Sequence, residues 1–307
     1  MKKNILKGKI LKEDAYNLED YKSEDIKPCI SNTMFEAMIN NESRKKYLCY
    51  ILSFFIDKDI DYIMDNITFL KNELNQESIK EYGKTVDLVV DVDNISYNIE
   101  LNNNSTKDEL YRNIEYAFHL SDINIKSNKR YIYKECKQIN ICNFSFEGLD
   151  NPIIGPFTLK DNENNELTDK VEIYYILLPK VRKKMYNKEE LTNLEKFMLA
   201  LNEKDDNLIE SLEGDRILED YRKDAYSASK DQIIAGLYDK ELEEKRRINS
   251  RIDEALERGI EKGIEQGINN NKIEIAKNLL KMGQNIDFII QATGLTEEII
   301  KDLQKNI

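Results

Sequence analysis

The segment 84–102 restricts the fold of this chain more than any other part of the sequence. Two runs rich in β-branched residues, 86–92 and 95–101, flank Asp93-Asn94, which suits a two-residue hairpin turn because asparagine tolerates the left-handed backbone conformation. Pairing the runs across this turn matches apolar residues at four positions: Val86–Leu101, Leu88–Ile99, Val90–Tyr97 and Val92–Ile95. A shift by one residue would destroy the match, so the sequence predicts an antiparallel hairpin with one apolar face.

The same register fixes the residues on the opposite face of the hairpin. It pairs Thr85 with Asn102, Asp87 with Glu100, Val89 with Asn98, and Asp91 with Ser96. Directly opposed residues have Cβ atoms about 4.5–5.5 Å apart, so Asp87 and Glu100 repel each other unless a cation lies between them. Mg²⁺ suits such a position because it takes one or two carboxylates and keeps several waters. The alternative is a solvated acidic face, which is our interpretation of Asp91.

Composition argues against several classes of protein. The chain has 307 residues and is 40% apolar, enough for one large domain with appendages or for two domains. Its four cysteines form no Cys-x-x-Cys pair and lie among apolar residues, so we predict reduced, partly buried thiols and no zinc site. The one histidine, His119, lies in a helical pattern, which argues against a histidine-based triad. With a net charge of −12, any surface for nucleic acid must be local.

The sequence carries no membrane or export signal. It contains no apolar run of about 18 residues, as a membrane-spanning helix requires. The start, Met1-Lys-Lys-Asn-Ile-Leu-Lys-Gly, lacks the apolar region and cleavage site of a signal peptide. We therefore expect a cytoplasmic protein with no membrane partner.

Hydrophobic periodicity predicts a mixture of helices and strands around the hairpin. Residues 1–30 are expected to form an extended arm with few contacts of its own. Two helices are predicted within 32–56, broken near Asn40-Asn41, and a short strand or helix near 67–70. A helix is predicted at 108–120, and strands at 138–144 and 171–178, the last ended by Pro179.

The C-terminal half is predicted to be helical and contains a glycine repeat. Helices are expected at 189–201, 207–218 and 225–258, and Gly259, Gly263 and Gly267 follow at intervals of four residues. Each glycine in a helix costs about 1 kcal/mol relative to alanine. Two interpretations remain open: a weak, hinge-like stalk, or a close backbone contact with a partner helix. Residues 272–307 are expected to form a compact helical unit in which Gly283 caps one helix and Gly294 breaks another.

Six short motifs occur in a characteristic order along the chain. They are Val86-Asp87-Leu88; Asn98-Ile99-Glu100-Leu101-Asn102; Tyr111-Arg112-Asn113-Ile114-Glu115-Tyr116; Gln138-Ile139-Asn140; Leu177-Leu178-Pro179-Lys180; and the glycine repeat with the tail from Ile275 through Thr293-Gly-Leu-Thr. In this order they resemble the PD-(D/E)XK nuclease superfamily, above all its recombination-promoting nuclease/putative transposase branch. The resemblance covers roughly residues 28–307. It depends on the joint presence of the motifs, because none is very specific alone.

The resemblance implies a fold, a division into domains and a function. The fold would be α/β, with a restriction-endonuclease-like core of order αβββαβ, a mixed sheet flanked by helices and a helical C-terminal extension. The expected regions are an N-terminal arm (1–27), the nuclease-like core (28–185), a helical region (186–258), and a glycine-repeat stalk with a helical tail (259–307). The implied function is a DNA endonuclease that depends on Mg²⁺ or Mn²⁺ and is linked to recombination or transposition. The C-terminal helices are candidates for forming a homo-oligomer.

The resemblance also implies the roles of the site residues. Asp87 and Glu100 would bind the metal ion, and Asn102 would orient the attacking water. Asn102 stands at the superfamily's lysine position and brings no positive charge, which puts activity in question. Val86 stands where the nominal proline would be, a common departure in relatives.

Three further residues are candidates with open alternatives. Glu36 would add a third carboxylate, or is an exposed helical glutamate. Gln138 would line the site, or hydrogen-bond within the sheet. Arg112 would contact phosphate, or pair with Glu109 or Glu115 along its helix.

Two other functions compete with the nuclease. One is a non-enzymatic interaction protein with a decayed nuclease core, which the acidic charge and Asn102 favour. The other is a DNA-binding regulator that uses residues 286–303, which have helix–turn–helix spacing. However, the second helix would begin Thr296-Glu297-Glu298, and these carboxylates would repel phosphate. The tail is therefore better interpreted as a protein-contact module.

Overall fold

The chain divides into two units, Met1–Leu242 and Glu243–Ile307. A computed structural model describes residues 10–11, 14–70, 86–103, 107–122, 134–204, 206–212 and 216–305. None of the helices in these ranges is long and apolar enough to cross a membrane. All four cysteines are buried and free, which confirms the predicted thiols, whereas the side chain of His119 lies outside the described residues.

The described N-terminal residues pack into the first unit. Strand β1 (Ile10–Leu11) pairs with β6 (Ser145–Phe146), and the side chains of Tyr16, Leu18 and Tyr21 are buried. The side chain of Asn143 accepts from the Tyr16 main-chain N–H and donates to the Tyr16 carbonyl, each at 2.7 Å. The expectation of an arm with few contacts is therefore wrong here. An extended segment has little periodicity to reveal that its aromatic side chains are buried by elements far away in sequence.

In the described part of the chain, three α-helices precede the large sheet: α1 (Asn32–Met38), α2 (Lys45–Ser53) and α3 (Ile60–Asn66). The predicted break near Asn40-Asn41 is present, because a 3₁₀ turn at Glu42–Arg44 separates α1 from α2. The short strand β2 (Ile67–Phe69) then follows α3 without a gap, in agreement with the element predicted near 67–70.

The described residues form a mixed sheet of six strands. Besides β2, its strands are β3 (Leu88–Val92), β4 (Ile95–Asn102), β5 (Glu135–Cys142), β7 (Ile153–Lys160) and β8 (Glu166–Leu177). Their spatial order is β2-β3-β4-β5-β8-β7, with parallel pairing only at β4–β5 and β5–β8. Helix α4 (Lys107–Asp122) connects β4 to β5. The order αβββαβ is thus confirmed, whereas β7, which pairs with β8 at the sheet edge, was not predicted.

The hairpin forms in the predicted register. Its pairs run from Leu88–Ile99 to Val92–Ile95. Asp93 and Asn94 have φ angles of 55° and 77°, as a turn that follows the twist of the strands requires. The predicted pair of Thr85 with Asn102 lies outside the described residues, since Thr85 does.

The two faces of the sheet are buried by different elements. The apolar face of the hairpin joins the main core of the unit, where Leu88, Val90 and Ile99 pack with residues of the surrounding helices. The opposite face is covered by α4, whose Tyr116, Ala117 and Leu120 are buried. The carboxylate face is therefore partly covered by a helix, and is no open acidic surface.

Among the described residues after the sheet, four helices lie wholly within the first unit: α5 (Leu178–Tyr186), α6 (Asn193–Asn202), α7 (Asp206–Ser211) and α8 (Arg216–Lys230). As predicted, β8 ends just before Pro179, which lies in the first turn of the unpredicted α5, where its missing N–H is not needed. Phe197 of α6 contacts the rings of Tyr47, Tyr50 and Tyr221, with centroids 4.9–6.4 Å apart. Helices α6 and α8 therefore share a core with α2.

A continuous helix, α9 (Gln232–Lys281), contains the glycine repeat. It begins later than the predicted 225 and continues well beyond the predicted 258, so Gly259, Gly263 and Gly267 lie in its interior. It is followed by α10 (Ile286–Thr293) and α11 (Glu297–Lys305). Gly283 and Gly294 have φ angles of 76° and 68° and lie after α9 and α10, as predicted. The second unit has a small core of its own that contains Ala276, Ile289, Leu295 and Ile300.

Candidate functional site

Asp87 and Glu100 lie next to each other at the end of the hairpin that is farthest from its turn. Asp87 immediately precedes β3, and Glu100 lies near the end of β4. The Asp87 main-chain N–H donates to Glu100 Oε1 at 3.3 Å, and Asp87 Oδ2 accepts from the Leu101 N–H at 2.8 Å. Each carboxyl group therefore hydrogen-bonds the backbone of the opposite segment, and the two groups are neighbours.

Burial disfavours the charged forms of both groups. Glu100 is only 2% exposed. Its burial, together with the negative charge of Asp87, raises the pKa of Glu100 to about 8, although hydrogen bonds and Arg112 act in the opposite direction. Burial also raises the pKa of Asp87, while the Leu101 N–H and the charge of Arg112 lower it. Without a cation, the pair therefore retains a proton near neutral pH.

A chain of buried amide side chains extends from Glu100 across the sheet. Asn98 Nδ2 donates to Glu100 Oε1 at 3.2 Å and to Gln138 Oε1 at 2.9 Å. Gln138 Nε2 donates to Asn140 Oδ1 at 2.9 Å, and Asn102 Nδ2 lies 3.4 Å from the same oxygen. All four amides are fully buried. The network fixes the rotamers around Glu100, because each amide that moves leaves a buried partner unsatisfied.

Arg112 brings a positive charge to this network from α4. Its guanidinium donates from Nη2 to Asn102 Oδ1 at 3.2 Å, and its charge lowers the pKa of Asp87 and of Glu100. The ring of Tyr116, one turn later, lies 5.8 Å from the guanidinium carbon. Arg112 is thus held beside the carboxylates by Asn102, which stands at the superfamily's lysine position.

Glu36 lies close enough to sense the charge of Asp87. Glu36 is an exposed residue of α1, which was one of the two alternatives expected for it. Partial desolvation of its carboxyl and the negative charge of Asp87 nevertheless raise the pKa of Glu36, while the hydrogen bond from Asn40 opposes them. Asn40 Nδ2 donates to Glu36 Oε2 at 2.9 Å and is 3.3 Å from the Asp87 carbonyl oxygen. Helix α1 therefore brings a third carboxylate to the edge of the site.

Some buried polar atoms at this face have no hydrogen-bond partner within the described ranges. They are Asn98 Oδ1 and both amide atoms of Asn113, a fully buried residue of α4. Such atoms are usually satisfied by ordered water. Sequence reasoning missed Asn98, Asn113 and Asn140 as members of the site. Side chains alternate between the two faces of a strand, so the position of Glu100 on this face also placed Asn98 there. This alternation could have identified Asn98 from the sequence.

The carboxylate pair suits a hard divalent ion that keeps part of its water shell. Within the described ranges, no three His, Cys, Asp or Glu side chains are grouped closely enough to hold a metal ion. Mg²⁺ is commonly bound by one or two carboxylates, with waters and substrate phosphate as its remaining ligands. A cation beside Asp87 and Glu100 would also relieve the repulsion and desolvation that raise their pKa values. The donors present therefore fit Mg²⁺ or Mn²⁺.

The buried Glu100 predicts an unusual dependence of stability on pH. Because its pKa rises from 4.5 to about 8 on folding, the folded state binds more protons than the unfolded state between these values. The free energy of unfolding of the metal-free protein should therefore fall as the pH rises from about 5 to about 9. We expect Glu100→Gln to flatten this decline, measured by urea denaturation in EDTA. Identical pH profiles for the two proteins would contradict the assignment.

A comparison with protein-family models identified the family of this chain. The model described as PD-(D/E)XK nuclease family transposase matches residues 31–255, which is more than half of the chain. Searches of curated proteins and of solved structures returned no significant match. The matched region contains Glu36, Asp87, Glu100, Asn102 and Arg112.

Proposed function

Because the chain belongs to the PD-(D/E)XK nuclease family transposases, we propose that it hydrolyses DNA backbone phosphodiesters with a divalent metal ion held by Asp87 and Glu100. The family supports a nuclease-like or transposase-related function. The observation that carries the more specific proposal is the pair of adjacent, buried carboxylates at the open end of the hairpin.

The metal ion and the protein would contribute different parts of the chemistry. When bound, Mg²⁺ or Mn²⁺ stabilises charge on a phosphoryl oxygen and lowers the pKa of a coordinated water. Asp87 and Glu100 would hold the ion, and Glu36 would add an outer carboxylate that accepts a hydrogen bond from water. The amides of Asn98 and Gln138 would keep Glu100 in a single orientation through their hydrogen bonds.

Asn102 and Arg112 together would replace the superfamily's lysine. Asn102 has no charge, but its Oδ1 atom accepts from Arg112, whose guanidinium would face the developing charge on the phosphate. The Nδ2 atom of Asn102 contacts Asn140 Oδ1 at 3.4 Å and Cys142 Sγ at 3.8 Å, near the upper limit of hydrogen-bond distances in both cases. This weakly bound donor is therefore available to orient the attacking water. We propose that the polar and the charged roles of lysine are divided between these two residues.

The main alternative is a decayed nuclease core that acts as a protein-interaction or DNA-binding module. The net charge of −12 and the neutral Asn102 favour this alternative. For the tail, Glu297 and Glu298 stand in the first turn of α11, where they would repel a phosphate backbone. A DNA-binding role for α10 and α11 therefore has little electrostatic support.

The proposed function is tested by incubating the purified protein with supercoiled plasmid. We expect nicked and linear products with Mg²⁺ or Mn²⁺, and none with EDTA. Salt should slow the cleavage, because the binding of basic side chains to the DNA backbone would weaken as the salt concentration rises. Absence of cleavage with both metals over a range of salt and pH would favour the decayed core.

A further inference from the structure

A long stretch of α9 is exposed on all sides, although it carries an ordered row of large apolar side chains. Every residue at 246–271 is exposed. Within this stretch, one large aliphatic residue recurs at intervals of four, and each is 47–60% exposed: Ile248, Ile252, Leu256, Ile260, Ile264 and Ile268. We call these six residues the apolar ridge. Tertiary packing supplies most of the stability of helices in proteins, so a helix exposed in this way lacks its usual support.

A second row of residues, of the smallest side chains, runs beside the apolar ridge. It consists of Ala255, Gly259, Gly263 and Gly267, each immediately before a member of the apolar ridge. We call these four residues the small ridge. A Cβ atom added at any of the three glycines would meet nothing within 4 Å, so contacts within the described chain do not require them. Glycines that weaken a helix without packing inside the chain indicate a close approach by another molecule.

Rows of residues spaced four apart determine how two such helices can pack. When these rows of both helices interdigitate, the helix axes cross at about −40° to −50°. In a parallel pair, the apolar ridge of each copy would lie on the small ridge of the other. In an antiparallel pair, the two apolar ridges would face each other, and so would the two small ridges. The large side chains would then have no row of small residues to pack against.

The charges that flank the two ridges favour the parallel arrangement. On the side of the small ridge lie Arg258 and Lys262, preceded in the same row by Glu254, and on the side of the apolar ridge lie Glu257, Glu261 and Glu265. Parallel packing brings the basic row of one copy beside the acidic row of the other. Antiparallel packing would bring acidic rows together and basic rows together, which is unfavourable.

We propose that this surface of α9 binds a second copy of the chain as a parallel, two-fold helix pair centred near Gly263. The partner is a second copy because the surface is complementary to itself in shape and charge. The proposal does not depend on the proposed nuclease activity.

The first test uses Gly263→Leu in the full chain, with sedimentation velocity over a range of concentrations. Leucine forms helices better than glycine, and a Cβ atom at this position meets nothing within 4 Å, so the variant should fold at least as well as the wild type. At the same time, we expect it to weaken dimerisation by about a hundredfold, because a bulky side chain would separate the two helices. Gly236→Leu, in the same helix but outside the small ridge, should dimerise as the wild type does.

The second test determines the orientation. Arg258 also pairs with Glu254 of its own chain at 3.1 Å, so Lys262 is the better residue to change. Lys262→Glu and Glu261→Lys should each weaken their own homodimer by about tenfold, and an equal mixture should form heterodimers at near wild-type affinity. In an antiparallel pair, Lys262 would face Lys262 and Glu261 would face Glu261, so neither substitution would weaken its own homodimer and the mixture would bind more tightly than the wild type. A wild-type chain that stays monomeric, or a Gly263→Leu chain that dimerises normally, would overturn the proposal.

Discussion

Under the proposed function, we expect Glu100→Gln and Asp87→Asn each to reduce metal-dependent plasmid cleavage by about a thousandfold or more, since a bound metal ion supplies several kcal/mol of transition-state stabilisation. Both substitutions keep the shape and most of the hydrogen bonds of the side chain while removing its charge. The loss should appear in initial rates measured at saturating Mg²⁺. Because Glu100 is 2% exposed, Glu100→Gln should also leave the metal-free protein as stable as the wild type or more stable.

Asp91→Asn provides a matched control for these two variants. Asp91 lies on the same face of β3 as Asp87, but it pairs with Lys134 and accepts from Ser96 Oγ at 2.8 Å. We expect this variant to cleave plasmid at a near wild-type rate. If Glu100→Gln and Asp87→Asn also retained wild-type rates, the carboxylate pair would not be the active site.

Phe197→Ala will lower the free energy of unfolding by about 3–5 kcal/mol, the range expected for truncating a fully buried phenylalanine. Phe197 is completely buried, and its ring contacts Tyr47, Tyr50 and Tyr221 at distances of 4.9–6.4 Å between centroids. The substitution would leave a cavity between α2, α6 and α8, where the ring of Phe197 now packs. Urea denaturation monitored by circular dichroism provides the measurement.

The control for this prediction is Tyr226→Ala. Tyr226 lies on α8, is 55% exposed and contacts Lys230 across its ring face. Its removal should change the free energy of unfolding by no more than about 0.5 kcal/mol. If Phe197→Ala had a similarly small effect, the helices after the sheet would not stabilise the unit as the packing indicates. The predicted boundary between the core (28–185) and the helical region (186–258) would then gain support.

The hairpin could be predicted in detail because two independent local signals agree. The apolar pairs fix the register, and Asp93-Asn94 fixes the turn, so the position of Glu100 opposite Asp87 follows from counting residues. Helix α4 and strand β5 could also be predicted, since each has a clear period. These elements are enough to place Asp87, Glu100 and Asn102 on one face.

The rest of the site could not be predicted, because it depends on pairing between distant segments. Asn98 and Gln138 become neighbours only through the parallel register of β4 with β5, which no local pattern specifies. The contact between Arg112 and Asn102 depends on how α4 lies across the sheet. Likewise, the edge strand β7 contains Gly155 and Pro156, and both residue types are depleted in strands.

The hairpin also limits where residues can be inserted or deleted during evolution. One residue inserted within β4 before Asn98 would turn Glu100 into the apolar core and bring Ile99 or Leu101 under α4. Two inserted residues would restore the face but move Glu100 about 6.6 Å along the strand, away from Asp87. Between Asp87 and Glu100, insertions and deletions that preserve the carboxylate pair are therefore confined to the turn at Asp93-Asn94. Relatives that keep the site should accordingly vary in the identity of their strand residues far more than in the number of them.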